Sequence, residues 1–93
     1  MVTPARLASP AAGEWLQNGR DYGNRRFSPL TQITTGNVAR LTPRWLFQLD
    51  MPQPGAGAAA TPLVADGRLY VSTDYDVVTA FDLRTRRRLW RYA

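Results

Sequence analysis

The sequence predicts a mainly β protein whose last third is a four-stranded antiparallel meander. Between residues 61 and 92, four short runs rich in β-branched and aromatic residues alternate with turn-forming residues. Asp66-Gly67 separates the first two runs, and this dipeptide is typical of tight hairpins because a type I′ turn needs positive φ at both central positions. The chain has 93 residues and no cysteine, so it has room for one small domain without disulfide bonds.

The first 60 residues carry no sustained period. Residues 1–13 are rich in Ala and Pro and are predicted to form a disordered arm. Residues 14–60 mix aromatic residues with Gly, Asn and Pro, which predicts an N-terminal arm with short helical turns near 14–17 and 35–41. The aromatic-rich segment 44–50 (RWLFQLD) is predicted to be one extra strand.

Residues 61–93 form the third predicted unit, with strands at 61–65, 68–73, 77–82 and 88–92. The two middle strands are apolar at consecutive positions, whereas a sheet with one solvated face should alternate. The four strands together fill about 32 residues, which is near the ~40-residue period of propeller repeats. A generic meander is the alternative, but these features favour one blade of a β-propeller. A lone blade would leave both faces in water, so we expect the chain to be a piece of something larger or to associate.

The composition excludes several kinds of active site. The sequence contains neither histidine nor cysteine, which rules out a Ser–His–Asp triad and a histidine- or thiolate-ligated metal. Asp74 and Asp76 have a spacing that recurs in calcium loops, but no further oxygen ligands follow at suitable spacing. We therefore interpret this pair as turn residues and predict no metal site and no catalytic residue in this chain.

All 12 basic residues are arginine, and the net charge is +5. Nucleic-acid binding is one interpretation of this charge. The densest cluster, however, straddles a predicted turn and strand without a recognition motif, so we predict an ordinary charged surface and no nucleic-acid partner. Its members are Arg84, Arg86, Arg87, Arg88 and Arg91. No apolar run approaches the ~20 residues of a membrane span, and no signal peptide is readable.

Three spaced motifs carry a family resemblance. They are WLQNGRDYGN at 15–24, RRFSPLTQI at 25–33 and TPLVADGRLYVST at 61–73. In this order they resemble the N-terminal part of the PQQ-dependent methanol/ethanol-type alcohol dehydrogenases, which are quinoproteins. Asp82-x-x-Thr85 followed by Trp90 is similar to the motif by which that family's blades dock.

The resemblance implies an eight-bladed β-propeller that carries PQQ with Ca²⁺ or a lanthanide. It also implies alcohol oxidation with electron transfer to cytochrome c or a quinone, and a periplasmic location. The chain would then be an N-terminal fragment comprising the arm and first blade, inactive alone, with the remaining blades as its partners. The alternative is a non-enzymatic propeller module that binds proteins in the periplasm.

The resemblance also assigns roles to individual positions. Ala59 occupies the place of the family's PQQ-contacting Glu, and its side chain has no acceptor atom. A branch with altered contacts, a degenerate copy and an alignment shift each explain this, so we predict no cofactor-binding residue. Asp82 and Trp90 are expected to be structural. Arg86 replaces a Gly in a turn that favours positive φ, at a cost of about 1 kcal/mol.

Overall fold

The predicted meander is confirmed by the computed structural model, which describes residues 1–49, 54–55 and 60–93. The strands are β1 (Leu63–Ala65), β2 (Arg68–Thr73), β3 (Val77–Asp82) and β4 (Arg88–Tyr92). They form one antiparallel sheet in the order β1-β2-β3-β4. Only β1 differs from the predicted strand, because it begins two residues later.

The turns between strands show why the register is fixed. Asp66 and Gly67 have φ values of 52° and 71°, as a type I′ turn requires, and Ala65 pairs with Arg68 across them. The β2–β3 connection also uses positive φ, at Tyr75 and Asp76. Because these connections are short, each strand is held beside the next with little freedom to slip.

The core is centred on β3. Val77, Ala80 and Phe81 are all at most 3% exposed, and Thr79 is buried among them. By contrast, every residue of β4 is exposed. The ladder between β3 and β4 shifts register between Ala80 and Phe81. The buried apolar residues of the sheet therefore centre on β3, whereas the edge strand β4 is exposed to solvent.

The prediction of a disordered arm over 1–13 is wrong, because these residues include helix α1 (Pro4–Ala8). Thr3 is its N-cap and accepts a hydrogen bond from the Arg6 N–H. The Arg6 guanidinium then bonds both the Glu14 carboxylate and, at 3.0 Å, Asp66 in the β1–β2 turn. These long-range ion pairs hold the arm against the sheet, and composition alone did not indicate them.

Of the two predicted helical turns, one forms. Residues 14–17 are not helical, because Trp15 forms an isolated antiparallel bridge with Val64 through hydrogen bonds of 3.0 and 2.8 Å. A short 3₁₀ helix, η1 (Val38–Arg40), lies within the predicted turn at 35–41. Asn37 precedes it and accepts a hydrogen bond from the Thr34 N–H at 2.7 Å.

The predicted strand over 44–50 is wrong for residues 44–49, which have no strand pairing; residue 50 lies outside the described residues. Trp45, Phe47 and Leu49 line a cavity of about 170 Å³ together with Leu69, Val71 and Phe81 of the sheet. The intervening Leu46 is 89% exposed. The aromatic side chains that suggested a strand therefore pack onto a sheet face, without strand pairing of their backbone. Within the described ranges, no helix is long and apolar enough to cross a membrane.

Candidate functional site: the open face of the sheet

The turn from β3 to β4 is closed by Asp82. Its carboxylate Oδ1 accepts hydrogen bonds from the backbone N–H groups of Arg84 and Thr85, at 2.8 and 3.0 Å. The N–H of Thr85, followed by that of Arg84, holds the pKa of the Asp82 carboxyl below its ordinary value. The structural role expected of Asp82 is confirmed by these contacts.

Arg86 has φ of 62°, in the left-handed region that favours glycine. Its N–H donates to the Asp82 carbonyl at 2.7 Å, and the Asp82 N–H donates to the Arg87 carbonyl at 2.9 Å. The turn thus keeps its shape with an L-residue at the strained position. This confirms the prediction that Arg86 adopts the conformation that glycine would favour.

Trp90 marks the face that remains open. It stands opposite Ala80 in the ladder, and its ring lies 6.1 Å from the ring of Tyr70 on the same face. Trp90 is nevertheless 45% exposed, and Tyr92, two residues further along the same face, is 70% exposed. This face therefore presents aromatic surface that its own sheet covers only in part.

The other face is covered over Phe81 by the segment before the sheet, which corrects the expectation that both faces lack cover. Phe81 is 2% exposed because the rings of Trp45 and Phe47 pack against it. The segment before the sheet supplies this cover. Both faces therefore contribute to the core around β3, since Ala80 on the Trp90 face is 0% exposed, but aromatic rings from outside the sheet cover only the Phe81 face.

The motif at 15–24 forms a compact loop against β1. The Trp15 indole N–H donates to the Asn18 carbonyl at 3.2 Å, and the Arg26 N–H donates to the Gly19 carbonyl at 3.0 Å. A Cβ at Gly19 would lie 2.7 Å from the Asn24 Cα, so only glycine fits. Arg20, buried with φ of 72°, donates to the Ala11 carbonyl. These residues position the chain rather than form a pocket with convergent acids.

The next motif, RRFSPLTQI, contains two large apolar side chains, those of Phe27 and Leu30. They are 68% and 54% exposed, so neither anchors the segment within the described part of the chain. The Leu30 N–H donates to the Ser28 hydroxyl at 3.3 Å, a contact that spans only two residues. This segment adds a second exposed apolar surface to that around Trp90.

Residues 15–93 match the PQQ glucose/ethanol/alcohol dehydrogenase family, in its beta-propeller domain. The chain belongs to this family. The resemblance drawn from the three motifs is therefore confirmed, and so is the prediction of a mainly β sheet of propeller type.

Two relatives and one solved structure show how much of the PQQ dehydrogenase family the chain represents. It is 40% identical over 93 residues to the quinohemoprotein alcohol dehydrogenase ADH-IIG of Pseudomonas putida, covering 98% of this chain and 12% of that protein. It is 43% identical over 82 residues to 1-butanol dehydrogenase (cytochrome c) of Thauera butanivorans, covering 88% and 11%.

The structural comparison agrees with the sequence comparison. The crystallised ADHIIG of Pseudomonas putida HK5 superposes with a TM-score of 0.86 and 40% identity, covering 98% of this chain and 13% of that one. The chain thus spans about an eighth of the length of these relatives.

Two parts of the chain bear on PQQ and its metal: Ala59 and the turn with Asp74 and Asp76. Ala59, the family's cofactor-contacting position, lies outside the described residues. Among the residues that the structure describes, no three carboxylates group closely enough to hold a metal ion, and Asp74 and Asp76 belong to no such group. Two positions after Ala59, the hydroxyl of Thr61 bonds to the Asn18 side chain. We therefore assign no catalytic or cofactor-binding role to a described residue.

The sequence did not predict the ion-pair cluster of Arg6, Glu14 and Asp66. The Arg6 hydrogen bonds hold the pKa of Asp66 below its ordinary value, and those to Asp66 and Glu14 raise the pKa of Arg6. Arg6 and Asp66 are 60 positions apart, so no local pattern links them. Only the fold of the arm onto the turn reveals their pairing.

Proposed function

We propose that this chain supplies the N-terminal arm and first blade of a PQQ-dependent alcohol dehydrogenase. The single observation that carries the proposal is the half-exposed Trp90 beside Tyr70, on the face of the sheet that no aromatic ring from the preceding segment is seen to cover among the described residues. A propeller blade packs against adjacent blades, and aromatic surface of this kind is suited to such packing. The further blades would bring the cofactor site and the catalytic groups.

The chemistry of the complete enzyme follows from the family. The proposed reaction oxidises an alcohol and passes the electrons to cytochrome c or a quinone, with PQQ beside Ca²⁺ or a lanthanide. A periplasmic location is part of the same proposal. The name of the Thauera butanivorans relative, which specifies cytochrome c, supports this kind of acceptor. The contribution proposed for this chain is to pack against the next blade and to position it.

Ala59 favours a second candidate, a propeller module without catalysis. Alanine has no acceptor atom for a polar contact to PQQ, whereas the family's Glu has one. Such a module would use the same sheet and the same open face for packing, and would bind proteins. The two candidates differ in whether a complete propeller containing this blade can oxidise alcohols.

A chimera separates the two. Residues 15–93 would replace their counterparts in Pseudomonas putida ADH-IIG, with and without Ala59→Glu, and PQQ-dependent dye reduction by alcohol would be measured. We expect both chimeras to be active, and Ala59→Glu to raise the activity. A folded chimera that is inactive with Ala59 and becomes active only through Ala59→Glu would favour the non-catalytic module. Inactivity of both folded chimeras would overturn the proposed blade function.

A further inference from the structure

The two edge strands of the sheet differ: β1 forms the inner edge and β4 the outer edge. On the inner side, β1 is covered by the bridge from Trp15 to Val64. On the outer side, β4 pairs with β3 alone, and no other strand among the described residues lies beside it. All five β4 residues are exposed. Main-chain N–H and C=O groups that point away from the neighbouring strand at a sheet edge are a template for another strand.

The same edge is strongly basic. Arg84, Arg86 and Arg87 in the preceding turn and Arg91 in β4 are exposed, and none forms a salt bridge within the described part of the chain. Asp82, the carboxylate that begins this turn, is already engaged by backbone N–H groups. The positive charge of this edge is therefore left for a partner to neutralise.

The two faces of β4 differ in character. Trp90 and Tyr92 stand opposite Ala80 and Val78, on the open aromatic face, whereas Arg91 stands opposite Thr79 on the other face. Residues directly opposite one another in adjacent strands share a face. A strand added beside β4 would thus meet aromatic rings and a guanidinium group at alternate positions.

We propose that β4 and its preceding turn form a docking edge for an extended acidic polypeptide. The polypeptide adds as a fifth strand, with apolar side chains beside Trp90 and Tyr92 and carboxylates beside Arg91 and the turn arginines. Like charges directly opposite one another disfavour pairing between two copies of this edge, so the charge also selects the partner. A peptide satisfies the free main-chain groups, which a nucleic acid strand does not. This inference does not depend on the proposed enzyme activity.

The test uses the full chain and a blocked peptide of about eight residues that alternates Glu and Val, a length suited to one strand. Binding is measured by calorimetry, and backbone amide shifts by NMR show where it occurs. We expect the largest shifts at 88–92. Charge reversal by Arg87→Glu with Arg91→Glu should weaken binding by at least about tenfold. The matched control, Arg40→Glu with Arg44→Glu, reverses two exposed charges elsewhere and should change it by less than about twofold.

Two further probes decide between strand addition and plain charge attraction. A peptide with the same charges but N-methylated at alternate amides cannot complete the ladder, so we expect it to bind at least about tenfold more weakly. A single-stranded oligothymidine of similar charge should also bind more weakly than the peptide. No peptide binding, equal binding of the N-methylated peptide, or tighter binding of the oligothymidine would each overturn the inference.

Discussion

The ring of Phe47 meets the ring of Phe81 edge-on, with centroids 4.7 Å apart and planes inclined by 67°. This geometry suits the charge distribution of two aromatic rings. Through this contact, a segment without strand pairing closes one face of the sheet. The stability of the chain should therefore depend on Phe81 more than on any residue of β4.

Truncation of Phe81 tests this. Phe81→Ala is expected to cost about 3–5 kcal/mol, because it removes a fully buried ring and leaves a cavity. A loss of that size is comparable to the total stability of a small domain, so the variant should be largely unfolded in water. The measurement is urea denaturation followed by circular dichroism. Leu89→Ala, at a residue 44% exposed, is the control and should cost about 0.5 kcal/mol or less.

The Arg86 turn gives a stabilising prediction. Arg86→Gly should raise the free energy of unfolding by about 0.5–1 kcal/mol, because relief of the left-handed strain exceeds the added chain entropy. Arg84→Gly is the matched control in the same turn, and it should be destabilising because Arg84 is not at positive φ. Urea midpoints of the two variants provide the comparison. A lower midpoint for Arg86→Gly than for the parent chain would contradict the strain argument.

Asp82 should be replaceable by Asn but not by Ala. Asn keeps an oxygen that can accept from the N–H groups of Arg84 and Thr85, whereas Ala leaves both donors without this partner. We expect the urea midpoint to fall in the order parent, Asp82→Asn, Asp82→Ala. Slower amide hydrogen exchange at 84 and 85 in the parent than in the Ala variant would locate the effect in the turn. Equal midpoints for the two variants would show that the acceptor is dispensable.

Acid should destabilise the chain through three carboxylates. The pKa of Asp82 is lowered by N–H groups of its turn, that of Asp66 by Arg6 and that of Asp21 by Arg25. In the unfolded chain these carboxyls have the ordinary pKa of 3.8, so on acidification they take up protons before the folded chain does. The free energy of unfolding therefore falls as the pH drops below 3.8 toward the lowered pKa values of the folded chain. At neutral pH the three carboxylates are ionised and make their full contribution to the free energy of unfolding. The stability gap between the parent and Asp82→Asn should narrow on acidification, and a gap independent of pH would refute this.

Local chemistry made most of the sheet predictable. The Asp66-Gly67 turn and the Asp82 turn each depend on residues a few positions apart, and both formed as expected. The strain at Arg86 was predictable for the same reason. Such short-range relations are fixed by backbone geometry, which the sequence displays directly.

Long-range contacts account for the errors. Segment 44–49 has the alternation of a strand, but alternation does not reveal whether the backbone pairs or only the side chains pack. Trp15 stays out of a helical turn because Val64, 49 positions later, supplies hydrogen-bond partners. The helix at Pro4–Ala8 is held in place because Arg6 forms ion pairs with Glu14 and Asp66, which both lie outside the helix. Residue types alone did not reveal these pairings.

The pairing of Arg6 with Asp66 also dictates an order of assembly. Each hairpin of the sheet closes between neighbouring segments, so the meander can form quickly, whereas the arm must wait for a partner 60 positions away. On the ribosome, the helix at Pro4–Ala8 emerges before the Asp66 turn, yet it cannot dock until that turn has left the exit tunnel. The helix is therefore synthesised before the turn that holds it, and it reaches its native place only after that turn has formed.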